Sequence, residues 1–549
     1  MEDASRAGEV TLSAQLSEPV RPMRSPQRDS ALATGELEPL PSLGVIVMNR
    51  MAFGPRPSDL ARFQSLGGTD RERLAAYVEE QLFPERINDS RCDDRLRAAG
   101  FTTLSKSRNQ LWEDHAKGPK SGDWNYRSLP FQEVERATIG RAIYSERQLL
   151  EVLADFWHNH FNIQASDYWI APLWAHQDRD IIRANVFGNF RKMLEDVGTS
   201  FPMLNYLDNV SNTRSGPNEN YARELFELHT LGAENYFGVK SVDDVPLDER
   251  GVPVAYVDED VYEAARAFTG WGGDYENGVL QYNHDEHDRF RKEVMRKRWS
   301  ADQAYQKEGR DIYDLLAAHP GTGRYIARKL CRRLVADEPP TRLVEEAAAV
   351  FTAQRNAPDQ LRQVIRTILL SPEFANTWGQ KVKRPFEFFA SSMRAVGAEL
   401  PLRIGDRYGD WFVRFLRDTS HVLFQWPTPD GYPDYRSRWL STNPIVVSWR
   451  IANGMVDVKN YNWDGKPFKL FDPFEQMPGG VRTPVKMVDF WIAQILGWPL
   501  PASTRQDLID FTARGRDPEL EVNLTEEISR ERVWGMIGLL LMSPQHFSR

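Results

Sequence analysis

The segment SERQLLEVLADFWHNHF, Ser145–Phe161, carries the pattern that decides the fold of this chain. Its apolar residues Leu149, Leu153 and Phe156 recur three and four positions apart, which is the spacing of one face of an α-helix. The same spacing returns along most of the chain, and many of these segments begin at Ser, Asp or Asn and end at Gly or Pro. The sequence therefore predicts a mainly α protein built as one large multi-helix body.

Departures from the helical pattern are few. The segments GVPVAYV (251–257) and GVLQYN (278–283) alternate as strands do, and they predict a small β-hairpin insertion. The segment QWPTPDGYPDYRSRWLSTNP (425–444) predicts a long Pro/Gly/aromatic loop, a kind of loop that often lines a site. Residues 1–42 are rich in Pro, Ser and charge and predict a disordered N-terminal tail. Residues 43–549 are predicted to form a single large helical domain.

The composition argues against several classes of function. Of the 549 residues 41% are hydrophobic and 27% are charged, as expected of a globular protein, and the net charge of −9 argues against general nucleic-acid binding. Two cysteines, Cys92 and Cys331, are too few for a disulfide framework or a cysteine-based zinc site. No apolar run is long enough to predict a membrane span. No apolar signal core precedes residue 43, so cytoplasmic residence is the default expectation.

The histidines indicate where a site lies, because six of the ten fall between residues 158 and 287. His160 continues the apolar stripe of its helix and is predicted to face the core, while His158 points to the opposite side. His160 is then a metal ligand, a general base or a buried histidine bonded to a backbone carbonyl. If the helix ends before His158, the two imidazoles share one face and chelate together.

The segment PNENYARELFELHTLG (217–232) predicts a capped helix with acidic residues at the edge of its apolar stripe. Counting 100° per residue places Glu224 against that stripe and Glu227 beside it, and it turns His229 away. A carboxylate in such a position is paired, protonated or bound to a metal. One interpretation is an ion pair with an arginine; the candidates are Arg183, Arg191, Arg223 and Arg266. The other is a functional site.

The segment HDEHD (284–288), with Lys292 after it, places two imidazoles and three carboxylates within five residues. Such a group can supply ligands for Zn, Mn or Fe. The alternative is a polar turn that follows the predicted strand 278–283.

The chain resembles a large bacterial family known as domain-of-unknown-function family 1800. The resemblance runs over roughly residues 43–549 and is most specific at FWHNHF (156–161) and NENYARELFELHTLG (218–232). His287 and Asp288 match the family's His-Asp pair, with Lys292 at the expected offset. The resemblance implies that the three segments belong to one constellation. Members are often exported and found beside a protein resembling sulfatases, which implies a sulfatase-like partner protein.

The favoured function is a metal-dependent enzyme, oxidative or hydrolytic, with a divalent metal (Fe, Mn or Zn) in a His/carboxylate site inside the helical body. The predicted metal ligands are His158, His160, Glu224, His287 and Asp288. The predicted catalytic residues are Glu224, Glu227, Asp288 and Lys292.

Two alternatives stay open. A glycan-active hydrolase would use Glu224 or Glu227 with an Asp as acid and base, and loop Trp and Tyr side chains would stack on sugars. A non-catalytic scaffold or partner-binding protein would use the buried polar residues only to fix helix packing. The expected substrate is accordingly a small molecule or a glycan.

Overall fold

Helices dominate the computed structural model, which describes residues 40–460 and 468–549. Within these residues there are 27 α-helices and two two-stranded antiparallel sheets, so the predicted mainly α fold is confirmed. Residues Leu40–Arg549 form one compact unit. The predicted tail, residues 1–42, lies outside the described residues except for its last three positions, and the first helix begins at Leu43.

In the first half of the chain the helices are α1 Leu43–Arg50, α2 Asp59–Ser65, α3 Asp70–Gln81, α4 Ser90–Ala98, α5 Arg108–Leu111, α6 Trp124–Arg127, α7 Leu129–Tyr144, α8 Gln148–His160, α9 Trp174–His176, α10 Phe190–Gly198, α11 Phe201–Tyr206, α12 Asn220–Glu224 and α13 Asp258–Ala267. Three segments have the wider π-helical turn: Trp112–Lys117, Gln177–Arg183 and Leu225–Thr230. The last of these continues α12 directly.

In the second half the helices are α14 Lys307–Ala318, α15 Pro320–Leu334, α16 Thr341–Ala353, α17 Gln360–Leu369, α18 Pro372–Asn376, α19 Pro385–Ala395, α20 Arg407–Asp418, α21 Arg436–Trp439, α22 Thr442–Asp457, α23 Pro473–Gln476, α24 Pro484–Ile495, α25 Ala502–Ala513, α26 Glu527–Leu541 and α27 Pro544–Phe547. Many begin with Pro after a Ser, Thr, Asp or His cap, because the missing N–H of proline is not needed in a first turn.

The helices pack around a continuous apolar core. Leu149 and Leu153 of α8 are fully buried, as the stripe predicts, and α8 packs against α7 and α3. In the second half α15 packs against α16, which packs against α17. No helix among the described residues is long and apolar enough to cross a membrane.

The two sheets lie between α13 and α14. Strand β1 Trp271–Asp274 pairs with β2 Val279–Tyr282, and β3 Lys292–Val294 pairs with β4 Lys297–Trp299. Met295 and Arg296 join the second pair with φ angles of 48° and 64°, the conformation of a tight hairpin turn.

The predicted hairpin is therefore right in one strand and wrong in its partner. Segment 278–283 pairs with β1, and segment 251–257 makes only isolated bridges through Pro253 and Tyr256. Pro253 has no N–H to donate to a strand ladder, which explains why regular pairing fails there.

Candidate functional site

Three helical segments, the residue before α19 and one loop surround a cavity of about 230 Å³, which we call the His160 cavity. Its walls are Phe156, Asn159 and His160 of α8; Leu228 of the π-helical segment; Tyr325, Lys329, Arg332 and Arg333 of α15; Arg384 just before α19; and Asp430, Tyr432, Pro433, Asp434 and Tyr435 of the predicted loop. The residues of α15 recur four, three and one positions apart, so they lie on one face of that helix.

Two side-chain amides of the FWHNHFN segment fasten the loop to α8. Asn159 donates to the Tyr432 carbonyl at 2.9 Å and accepts from the Tyr432 amide at 2.7 Å. Asn162 donates to the Thr428 carbonyl at 2.8 Å. Gly431 has a φ of +71°, and a Cβ there would lie 2.2 Å from the Asn159 carbonyl oxygen. This approach needs glycine, and it holds the loop wall in place.

His160 has one satisfied and one free ring nitrogen. Its Nε2 lies 3.2 Å from the His229 carbonyl, which can only accept, so Nε2 carries the hydrogen. Burial, and then the charge of Lys329, holds the pKa of His160 well below its usual range. The ring is therefore neutral and Nδ1 is a hydrogen-bond acceptor. That atom is buried, and no described residue binds it.

His229 lies beside His160 instead of pointing away from the site. The two ring centroids are 6.3 Å apart, and His229 is 2% exposed. Its Nε2 is buried and unpartnered among the described residues, and burial lowers its pKa to about 3. The prediction counted 100° per residue, whereas residues Leu225–Thr230 form a π-helix. The wider turn changes the direction in which each side chain leaves the backbone.

Lys329 brings a free amine to the same cavity. Its Nζ lies 5.2 Å from the centroid of the Tyr325 ring and makes no hydrogen bond or ion pair with any residue described. Burial, and then the charge of Arg332, lowers the pKa of Lys329 to about 8, although nearby carboxylates act in the opposite direction. A lysine with this pKa is present in both protonation states near neutral pH.

Glu224 has no arginine partner. Arg183 binds Asp178 and Glu151, Arg191 binds Glu195 and Asp314, Arg223 binds Glu219 and Asp258, and Arg266 binds Glu263 and Asp288. Within the described part of the chain, the Glu224 carboxyl makes no hydrogen bond or ion pair. Burial, followed by the charge of Glu227, raises the pKa of Glu224 to about 7.

Asp430 links Glu224 to the cavity. It lines the cavity wall, its charge adds to the raised pKa of Glu224 after burial and Glu227, and it also acts on Lys329. Its Oδ1 accepts from Trp426 Nε1 at 2.8 Å and from Thr428 Oγ1 at 2.6 Å, which orients the carboxylate. Glu224, Asp430, Lys329 and the two histidines are thus linked by charge effects, and Asp430, Lys329 and His160 line the His160 cavity itself.

His287 and Lys292 belong to a second polar group, which we call the Lys292 cluster. His287 Nε2 lies 2.9 Å from Glu308 Oε2, and Nδ1 lies 2.8 Å from the Thr269 carbonyl. Lys292 Nζ binds Glu308 Oε1 at 3.1 Å and the carbonyl oxygens of Asp288 and Phe290. Its side chain is fully buried.

Asp288 completes this cluster. Arg266 binds it through Nε at 2.8 Å and through Nη2 at 3.1 Å. Arg266 and the Phe290 amide, which also donates to Asp288, hold the pKa of Asp288 below its usual value against the effect of burial. His284 and Asp285, the other half of HDEHD, are exposed on a short 3-10 turn, His284–Glu286.

His158 is bound in a third place. Its Nε2 lies 2.9 Å from Asp178, whose carboxylate also binds Arg183 at 3.0 Å. His158 is predicted to point to the side of α8 opposite His160, and its surroundings are also buried, since the Phe424 ring lies 4.7 Å away and leaves the histidine 8% exposed. Helix α8 also continues through His160, so the extended His-x-His chelate is not formed.

The model of a protein family described as protein of unknown function (DUF1800) matches residues 46–548. The chain belongs to this family. The match covers nearly the whole chain, including both polar groups, and it confirms the resemblance. The comparisons with curated proteins and with solved structures found no match.

The predicted metal ligands of this DUF1800 protein do not lie together. His158 binds Asp178, His160 lines the His160 cavity, and His287 and Asp288 belong to the Lys292 cluster. Glu224 is not part of the cavity lining and is related to it through the charge of Asp430. In residues 40–460 and 468–549, no three His, Cys, Asp or Glu side chains are arranged to hold a metal ion. The prediction of Fe, Mn or Zn stays a prediction.

Several residues of the cavity were not predicted from the sequence. The amides Asn159 and Asn162 stand beside the histidines that drew attention, and Asp430 belongs to a Pro-Asp-Gly turn in the predicted loop. Those sequence patterns could have indicated Asn159, Asn162 and Asp430. No such pattern marks Lys329, because it is one of five basic residues between positions 324 and 333 and nothing in that run distinguishes it.

Proposed function

We propose that this DUF1800 protein is an enzyme that uses Glu224 as a proton donor and acceptor, with Asp430 as a second carboxylate, on a hydroxylated substrate of the glycan type. The observation that carries this proposal is the Glu224 carboxyl, which lacks a described partner and has a pKa raised to about 7. Groups that transfer protons work best when their pKa lies near the working pH. Perturbed carboxyls in clefts are candidates for this role.

The second carboxylate fits the same chemistry. Hydrolysis of a glycosidic bond uses one protonated carboxyl, which donates to the leaving oxygen, and one ionised carboxylate, which activates water or attacks the sugar. Glu224 is available in the protonated form near neutral pH. Asp430 accepts two hydrogen bonds and is oriented as an acceptor. The two residues come from different elements, and the charge of Asp430 acts on Glu224.

Aromatic side chains support a sugar-like substrate. Tyr325, Tyr432 and Tyr435 line the cavity, and the Trp426 ring lies 4.7 Å from the Tyr432 ring. Rings with an apolar face and a polar edge suit ligands that have both kinds of surface. These aromatics belong to α15 and to the loop fastened to α8, so the surface they present is fixed.

A metal-dependent enzyme is the second proposal. Its support is that His160 Nδ1 and the Glu224 carboxylate both offer lone pairs without a described partner, and both atom types bind Fe, Mn or Zn. Among the residues described, no third side chain completes such a ligand set. The acid–base proposal needs no third ligand and is preferred for that reason.

The test is a panel of oligosaccharides and polysaccharides assayed with and without a chelator. We expect a chelator-resistant activity that falls by roughly 10²–10⁴ in Glu224→Gln, the contribution typical of a general acid or base. Glu219→Gln is the matched control, since it lies on the same stretch of chain and forms an exposed ion pair with Arg223. It is expected to keep the activity.

The outcomes separate the alternatives. Equal rates for wild type and Glu224→Gln would overturn the acid–base proposal. An activity lost on chelation, together with Fe, Mn or Zn in the isolated protein, would favour the metal-dependent enzyme. A binding partner recovered with no activity in any assay, and Glu224→Gln altering stability alone, would favour the non-catalytic scaffold.

A further inference from the structure

We infer that Lys329 and Arg332 form a subsite for an acidic group of the substrate, so that the ligand of the His160 cavity is a hydroxylated carboxylic acid. The inference rests on the proposed function in taking this cavity as the substrate site. It adds the chemical class of the substrate and the residues that select it.

Two of the four cations that line the cavity are already neutralised. Arg333 binds Asp155 at 3.1 Å and also pairs with Glu387. Arg384 pairs with Asp155, and its Nε lies 3.6 Å from Glu387. Arg549 also binds Glu387, so these residues form one ion-pair network in which every guanidinium group has a carboxylate partner. The network supports the wall, and its cations are already paired.

The other two cations have no such compensation. Lys329 Nζ makes no hydrogen bond or ion pair with the described residues. Arg332 donates from Nε to the Asp337 carbonyl at 3.0 Å, and its guanidinium lies 4.3 Å from the centroid of the Tyr435 ring. In the described part of the chain no carboxylate binds Arg332. Two positive groups, one turn apart on α15, thus face the cavity, and no described carboxylate is bonded to either of them.

The acids of the cavity wall are engaged elsewhere. Asp434 lies 3.2 Å from Lys381, and Asp430 accepts from Trp426 and Thr428. A positive charge partly withdrawn from water is stabilised by an anion that binds directly to it. An acidic ligand supplies this anion, whereas a neutral ligand leaves Lys329 unpaired.

The carboxylate of Asp430 indicates the rest of the ligand. Asp430 lines the same cavity and uses Oδ1 for both of its hydrogen bonds, so the carboxylate can also accept from a donor such as a hydroxyl group of the ligand. The cavity volume of about 230 Å³ lies below the roughly 300–1,000 Å³ of pockets for drug-sized ligands. A single sugar-acid unit, with its carboxylate at Lys329 and a hydroxyl at Asp430, meets these demands.

Calorimetric titration with glucuronate tests the subsite, with glucose and acetate as ligands that lack the acid or the hydroxyls. We expect glucuronate to bind more tightly than acetate or glucose. Lys329→Met and Arg332→Gln each weaken glucuronate by about tenfold or more, the loss expected for a charge-assisted hydrogen bond. Arg328→Gln, which removes a neighbouring charge paired with Glu234, leaves the affinity unchanged.

Protonation supplies a second measurement. The affinity of wild type for glucuronate falls as the pH rises above about 8, where Lys329 loses its proton, and Lys329→Arg keeps its affinity at pH 9. The subsite is overturned if wild type binds none of the three ligands. It is also overturned if glucose binds as well as glucuronate, or if both charge-removing variants, folded by circular dichroism, retain wild-type affinity.

Failure of the subsite is distinguishable from failure of the proposed function. Glu224→Gln removes the proposed proton transfer but keeps both cations, so it should bind glucuronate at least as tightly as wild type. If wild type is active and Lys329→Met binds glucuronate normally, the proposed function stands and the subsite is rejected. If Glu224→Gln is fully active and glucuronate binding depends on Lys329, the subsite stands and the proposed catalytic role of Glu224 is rejected.

Discussion

The Lys292 cluster and the His160 cavity contain nearly the same side chains, but they differ in how those side chains are satisfied. In the cluster, Lys292 has three oxygen partners, and both ring nitrogens of His287 have acceptors. In the cavity, Lys329 has no bonded partner among the described residues and His160 has one free nitrogen. A buried polar group that is fully bonded stabilises the fold, and one that is left unbonded is available to a ligand.

The contrast bears on the predicted catalytic residues. Asp288 and Lys292 form their hydrogen bonds with other residues of the protein, which favours a structural role for them. Glu224 is acted on by the charges of Glu227 and of Asp430 in the cavity wall, and it has no bonded partner in residues 40–460 and 468–549. The comparison can be tested by making the same substitution in both regions.

The largest effect is expected for Lys292→Met. Removing the ammonium leaves the carboxylate of Glu308 buried with only His287 beside it, and such an uncompensated charge typically costs about 3–5 kcal/mol. Urea unfolding at pH 7 measures the change in the free energy of unfolding. A loss below about 1 kcal/mol would show that the cluster is not the structural ion-pair network that its contacts indicate.

A smaller, pH-dependent effect is expected for Glu224→Gln. Burial raises the pKa of Glu224 above 4.5 to about 7, so the contribution of this group to stability is fully present below pH 4.5 and is lost as the pH rises through 7. Glutamine avoids this loss. The variant should gain about 1 kcal/mol relative to wild type between pH 5 and pH 8, reduced from the fully buried value by solvent screening.

Urea unfolding at those two pH values provides the measurement. Glu219→Gln, which removes a carboxyl from an exposed ion pair, should show no comparable gain. If Glu224→Gln instead loses stability at pH 8, the carboxylate has a partner that its contacts do not reveal.

The smallest effect is expected for Lys329→Met, the counterpart of the first substitution. No bonded partner is lost, so the free energy of unfolding at pH 7 should change by no more than about 0.5 kcal/mol or should rise. Burial lowers the pKa of Lys329 from 10.5 to about 8. The penalty that Lys329 imposes on the free energy of unfolding of wild type therefore shrinks as the pH rises from 8 towards 10.5. Any advantage of the variant should shrink over that range. A loss as large as that of Lys292→Met would remove the distinction between the two regions.

Much of the architecture follows from local patterns. The spacing of Leu149, Leu153 and Phe156 predicts α8, and the position of Glu224 at the edge of an apolar stripe agrees with its half-buried side chain. The orientation of His229 could not be obtained in the same way, because a residue count assumes α-helical turns. Nothing in the residue pattern alone signalled the π-helix of Leu225–Thr230.

The absence of a partner is a property of the tertiary structure. The sequence drew attention to Lys292 and not to Lys329, yet the surroundings leave Lys329 with a free amine and bond Lys292 fully. The same holds for Glu224, for which the residue pattern left an arginine partner open. All four arginine candidates prove to be bound by other carboxylates.

The amide contacts of Asn159 and Asn162 have a thermodynamic consequence. They order the 425–435 loop when the protein folds, so a ligand entering the His160 cavity meets a wall that is already formed. Binding then avoids most of the conformational entropy that a free loop would lose on closing, which is roughly 1–2 kcal/mol for each residue fixed. A small ligand with few contacts can therefore bind. The temperature dependence of its binding free energy should reflect the contacts that form, with little contribution from ordering of the loop.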